Sequence, residues 1–199
     1  MSDAPHNESL QFDELHVVSD LHLGGTKHAT DPRQNFQIFD QAGLFSACVD
    51  RLLRERRQPG QMCFVVNGDL VDFLAEPNPK CFDPEGAEQK LLDIVSRSEF
   101  VPVWDSLRKL ARTPDVTLAI VLGNHDIELA LPRIRQRLLQ LLSRGTPGAQ
   151  GRIHLVVDGT GFRCRVGNAN VLCLHGNEVD EWNYVDYEKL REIGRDQQL

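Results

Sequence analysis

Short apolar runs of strand length alternate along this chain with longer stretches in which apolar residues return every three or four positions. The short runs, at residues 15–19, 62–67, 116–122, 153–157, 162–166 and 170–174, predict six strands. The helical period is carried first by Phe45, Cys48, Val49, Leu52 and Leu53, with Pro59-Gly60 as the stop. Phe100, Val103, Trp104, Leu107, Leu110 and Ala111 repeat it, and Leu138, Leu139, Leu141 and Leu142 predict a third helix from Pro132 to Gly145. Strand–helix–strand connections of this length bring the chain back in the same direction, so the pattern is that of an α/β domain with neighbouring parallel strands. The last two strands, separated by Gly167 and Asn168, read as a hairpin. Residues 74–89, with Pro77, Pro79 and Pro84, read as a long loop past a strand end, either a surface excursion or a cover for a substrate.

Four of the apolar runs end in the same way. "LHVVSDLH", "MCFVVNGDL", "LAIVLGNHD" and "NVLCLHGNE" each finish with side chains able to bind a metal, and Val17 and Val18 read as buried strand residues leading into the first of them. In open α/β sheets, sites are built beyond the carboxyl ends of the strands. Side chains two apart on a strand share a face, so Asp20 and His22 can reach one ion. Asp69 offers two oxygens and can bridge a pair of cations, Asn124 offers a neutral carbonyl oxygen, and His175 an imidazole nitrogen. Such a mixed nitrogen and oxygen set suits Mn, Fe, Zn or Co better than Mg or Ca, and Mn²⁺ is the expected ion. Asp72, Glu178 and Asp180 lie close to these motifs, either as partners of the ligands or as solvated acids. His28 and His154 read as structural or exposed.

These residues carry a family resemblance. D-x-H in "SDLH", G-D at Gly68-Asp69, "GNHD" at residues 123–126 and the later His175 resemble the blocks of calcineurin-like metallophosphoesterases, and "SDLHLGG" is similar to the branch containing UDP-2,3-diacylglucosamine pyrophosphatases. The resemblance implies a metallophosphoesterase-type β-sandwich core flanked by helices and two divalent metal ions. It implies that Asp20 and His22 bind one ion, Asn124 and His175 the other, and that Asp69 bridges them. His125 would face the phosphoryl group and protonate or stabilise the leaving oxygen, with Asp126 holding its ring. The implied activity is hydrolysis of a phosphomonoester, phosphodiester or pyrophosphate bond in a small molecule or a lipid-linked nucleotide.

The family's closing G-H-x-H block is absent, because no histidine follows His175. Each ion would then lack one protein ligand. Three explanations stay open: the chain is a shortened piece of a longer protein, Glu178 or Asp180 substitutes, or the domain is a degenerate, noncatalytic binding module.

Length and composition narrow the partners. At 199 residues a single domain is expected, spanning residues 13–199 behind a flexible tail at residues 1–12. The formal net charge of −7 argues against nucleic acid, whose binding rests on phosphate neutralisation by Lys and Arg. No run approaches the roughly 20 apolar residues of a membrane helix. The five cysteines, odd in number and without CxxC spacing, fit a reduced cytoplasmic setting.

Overall fold

The computed structural model describes residues 10–28 and 36–196. Four parallel strands, β2 (Glu14–Val18), β3 (Met62–Asn67), β4 (Val116–Val121) and β5 (Ile153–Val156), form one sheet in that order. A second sheet holds β1 (Gln11–Phe12), β6 (Phe162–Val166) and β7 (Ala169–Cys173), with β6 and β7 as the antiparallel hairpin that the turn residues foretell. Helices α1 (Ala42–Glu55), α2 (Ala87–Ser96), α3 (Val101–Arg112) and α4 (Pro132–Ser143) fill the crossovers, and α5 (Tyr187–Asp196) follows the hairpin.

Period-two alternation along β3 and β4 explains the layering. Met62, Phe64 and Val66, with Leu118 and Ile120, pack into the large cluster shared with Trp104, Leu107 and Leu138 of the helices. Cys63, Val65, Ala119 and Val121 point the other way, onto Phe12, Phe162, Cys164 and Cys173 of the second sheet. The central strands are therefore covered on both faces and read as nearly continuous apolar runs, interrupted only by Thr117 and ending at Asn67. Cys63, Cys164 and Cys173 act there as small hydrophobes, and burial pushes all three thiols up from the usual range.

Two expectations need correction, and a third, the long loop, holds over residues 76–86 but is tied down at both ends. Val17 is 47% exposed, because β2 is an edge strand and the three-stranded sheet lies over β3 and β4. The tail expected over residues 1–12 is not loose to its end: Gln11 and Phe12 pair with Arg165 and Val166, and Phe12 is buried, while residues 1–9 lie outside the described residues. The proline-rich segment is anchored: Phe73–Ala75 forms a 3-10 turn, Glu76 and Asp83 are buried, and α2 begins at Ala87, where Leu91, Ile94 and Val95 face the core. Among the described residues no helix is long and apolar enough to cross a membrane.

Candidate metal centre

The tips of β2, β3 and β4 and the loop after β7 converge on a cavity of about 460 Å³ lined by Asp20, His22, Asp69, Asn124, His125 and His175, with Asp180 and Asn183 among its other walls. The backbone turns sharply to place them. Asp20, His22 and Asp69 all have left-handed φ, at 56°, 44° and 52°. Such conformations are uncommon outside glycine and concentrate at sites where the surroundings impose them. Two glycines allow the approach: a Cβ on Gly68 would lie 2.1 Å from His175 Nδ1, and one on Gly123 would lie 2.0 Å from Asp69 Oδ1.

Asp69 is the hub. Its Oδ1 accepts the His125 backbone N–H at 2.9 Å, which leaves Oδ2 facing His175 Nε2 at 3.2 Å and His22 Nε2 at 3.5 Å. Asp20 Oδ1 is 3.8 Å from the same His22 nitrogen, and Asn124 Oδ1 is 3.3 Å from His175 Nε2. The other nitrogen of each ring is committed. His175 Nδ1 lies 2.9 Å from the Asn67 carbonyl and His22 Nδ1 lies 3.2 Å from Asp72 Oδ2, acceptors that call for an N–H on that side. In the neutral rings, Nε2 then carries the lone pair and turns it toward Asp69, the arrangement in which an internal acceptor orients a metal-binding histidine. Asp20, His22 and Asp69 bring one donor atom each within 4.8 Å of one another, as do His22, Asp72 and His125, while Asp69 Oδ2 and Asn124 Oδ1 both face His175 Nε2. Donors of this kind suit a divalent cation of the nitrogen-and-oxygen class.

The electrostatics agree with cation-seeking geometry. Burial works against a charged Asp69, yet His175, the His125 N–H and His22 hold its carboxyl below the ordinary value. The Asp69 contact pushes His175 up to about 9, and Asp72 raises His22. Protons on these rings stand where positive charge is wanted.

Asp72, the residue whose role sequence left open, proves central. It is 1% exposed; Oδ2 faces His22, while Oδ1 lies 3.2 Å from His125 Nδ1 and caps the 3-10 turn by accepting from Leu74 and Ala75 at 3.0 Å. Burial opposes its charge, but His125 and His22 together keep it well below the carboxylate range. Asp72 thus does for His125 what the resemblance assigned to Asp126. Asp126 is 0% exposed and does not hold that ring: its oxygens accept the Leu70 N–H at 2.8 Å and the Gly123 N–H at 2.7 Å, tying the β3 and β4 turns together. Burial, then the nearby Asp69 charge, push it up to about 7. The signal for Asp72 was its place three residues after Asp69, where a short turn points both carboxylates at the same end of the sheet.

The calcineurin-like phosphoesterase family model matches residues 15–199. The chain belongs to that family. No curated protein and no solved structure matches it significantly. Membership brings metal-dependent phosphoester hydrolysis as the general chemistry of the family, and Asp20, His22 and Asp69 are a candidate group for holding the metal. Of the two acids weighed as replacement ligands, only Asp180 lines the cavity; its oxygens accept from the Trp182 N–H at 2.9 Å and the Asn183 amide at 2.8 Å, and that amide's oxygen faces Asn124 Nδ2 at 3.5 Å. Glu178 instead turns back to accept the Gly176 N–H at 2.8 Å. His28, whose backbone N–H donates to Thr26 Oγ1 at 3.1 Å, and His154 on β5 do not line this cavity.

Proposed function

We propose that this chain hydrolyses a phosphate ester or pyrophosphate bond in a small molecule or lipid-linked nucleotide, using two divalent cations, with Mn²⁺ the first choice. The observation that carries the reading is the shared orientation of His22 and His175, whose Nε2 atoms both face Asp69 Oδ2 while their Nδ1 atoms are occupied inside the protein. Asp20, His22 and Asp69 would hold one ion, and Asp69, Asn124 and His175 the other. When bound, such ions supply Lewis-acid charge to phosphoryl oxygens and acidify an attacking water.

The chain's own residues do the rest. His125 has Nδ1 fixed against Asp72 and lines the cavity, so its Nε2 is the proton donor presented to a leaving oxygen. Asp72 raises the affinity of that ring for its proton. The His125 and His22 rings meet edge to face with centroids 4.8 Å apart, which fixes the donor beside the ligands. Val179, Trp182 and Tyr184, 89%, 94% and 66% exposed on the loop that carries Asp180 and Asn183, support a substrate with an apolar or planar group next to its phosphate. This is also what favours the lipid-linked nucleotide branch over a bare sugar phosphate.

The test is direct. Protein supplied with Mn²⁺ is expected to hydrolyse an aryl phosphate or its diester; Asp69→Ala is expected to lose Mn²⁺ binding in calorimetry, and His125→Asn to keep the metal and lose turnover. Equal Mn²⁺ binding by wild type and Asp69→Ala overturns the site. Metal binding without turnover by wild type would replace the enzyme with a noncatalytic scaffold, a role in which the Asp72–His125 pair has no use.

A further inference from the structure

A second cavity, about 600 Å³ and larger than the one over the metal ligands, opens between β5, the start of β6, and helices α4 and α5, and it shares no lining residue with the metal centre. Four arginines line it: Arg135 from α4, Arg163 from β6, and Arg191 and Arg195 from α5. Four arginines from three elements around one hollow are unexpected in a chain of net charge −7. Arg51, Arg97, Arg108, Arg133 and Arg137, away from this cavity, each face a carboxylate, whereas others such as Arg112, Arg144 and Arg165 pair with none among the described residues. Among the described residues, none of the cavity's four arginines has such a partner. Asp158, the acid in the lining, is turned onto its own loop, where Oδ1 accepts the Thr160 N–H at 3.1 Å and hydroxyl at 2.7 Å.

We infer that this cavity binds an anionic small molecule of nucleotide size, its phosphate or other multiply charged head gathered by the four arginines and its body laid against the apolar wall of Leu155, Phe162 and Leu190. Guanidinium groups are weakly hydrated, permanently charged and matched to phosphate oxygens in pairs, so a cluster of them without internal acceptors is suited to an external one. The volume lies within the range of small-ligand sites, and the lining combines an apolar wall with convergent polar groups, as such sites do. His154 lines the same wall; burial lowers its affinity for a proton, so it offers a neutral ring as hydrogen-bond donor or acceptor rather than a fifth charge. Charge for solubility alone does not explain why four arginines from three elements line one hollow.

The experiment uses the full chain treated with chelator, which removes metal-dependent binding at the other site, and titrates ADP and inorganic pyrophosphate by calorimetry. ADP is expected to bind with micromolar affinity, more tightly than pyrophosphate, and to weaken steeply as salt is raised. Asp69→Ala is expected to leave ADP affinity unchanged. Arg135→Gln/Arg163→Gln and, separately, Arg191→Gln/Arg195→Gln are expected to weaken it at least tenfold, with melting temperatures near wild type and Mn²⁺-dependent turnover of a small aryl phosphate retained. Two different pairs guard against a variant that fails to fold. Absence of ADP binding at millimolar concentration, or binding that survives both arginine pairs, overturns the inference. Loss of ADP binding in Asp69→Ala would also overturn it, by returning the anion to the metal centre, and equal affinity for ADP and pyrophosphate would remove the apolar wall from it.

Discussion

Val66 and Asp69 lie three residues apart at the end of β3 and are almost equally hidden from water, at 0% and 2% exposure, yet they are buried for opposite reasons. Val66 joins Phe64, Leu118 and the helices, and its burial stabilises the fold by removing apolar surface from water. Asp69 gains nothing from leaving water; it is tolerated because one N–H and two imidazoles compensate its charge. The same contrast separates Ile120 from Asp126, whose oxygens are met by two N–H groups from neighbouring turns. The central strands thus carry stability in their middles and chemistry at their tips, and the two should respond independently to substitution.

The largest expected effect comes from the tip. Asp69→Asn keeps an oxygen for the His125 N–H but removes the charge between the two histidines, and Mn²⁺-dependent turnover should fall by about 10³-fold, the scale seen when one preorganised electrostatic contact at a reacting centre is removed. The unfolding midpoint without metal should move little. Leu118→Ala tests the middle: a fully buried leucine lost from the helix-side cluster should cost about 2–5 kcal/mol in chemical denaturation, while the folded fraction keeps wild-type Mn²⁺ affinity. If Leu118→Ala lowers Mn²⁺ affinity as much as Asp69→Asn does, tip and middle are one unit and the comparison fails.

Asp72→Asn sharpens the boundary, since Asp72 belongs to both regions. Asparagine can still cap Leu74 and Ala75, so the 3-10 turn should persist, but the anionic partner of the His22 and His125 rings is lost. A partner that orients a metal-binding histidine typically contributes about 10–100-fold in affinity or activity, and turnover is expected to drop by that amount with a smaller loss of Mn²⁺ binding. Unchanged turnover would assign Asp72 to the turn alone.

What could be read from sequence follows the same division. The parallel sheet was legible because β3 and β4 are covered on both faces and so are apolar apart from Thr117 and the terminal Asn67; predicted and observed strands agree within a residue or two at each end. The side chains that line the candidate site were legible because each directly follows such a run. β1 was missed because two residues carry no periodicity, and α2 because its apolar positions sit directly behind a proline-rich stretch that masks the helix start. Val17 was misjudged because an edge strand and a central one look alike in composition; only the width of the second sheet decides which face is covered. Asp72 stayed undecided, and Asp126 was placed against the His125 ring instead of it, because sequence gives the spacing of acids after a strand but not the direction in which a left-handed turn at Asp69 sends the following residues.

The smallest expected effect lies in the proline-rich segment, between the two regions. Asp83 is buried where this segment meets α2, with Lys80 at 2.8 Å and Lys90 at 2.9 Å, and its own N–H is accepted by Glu128 at 2.8 Å. Lys80 and Lys90 hold the Asp83 carboxyl down at about 2. A carboxylate depressed in the folded state adds stability that is present above its ordinary value near 3.8 and disappears as pH falls through about 2. Wild type should therefore melt a few degrees at most above Asp83→Asn at neutral pH, with the gap closing between pH 4 and pH 2. Burial raises the neighbouring Glu128, which acts in the opposite direction, but Glu128 is common to both proteins and largely cancels in the difference. A gap that stays constant down to pH 2 would show that the Asp83 charge does not hold the segment, leaving the Glu76–Arg97 pair, at 2.7 Å, as its electrostatic anchor.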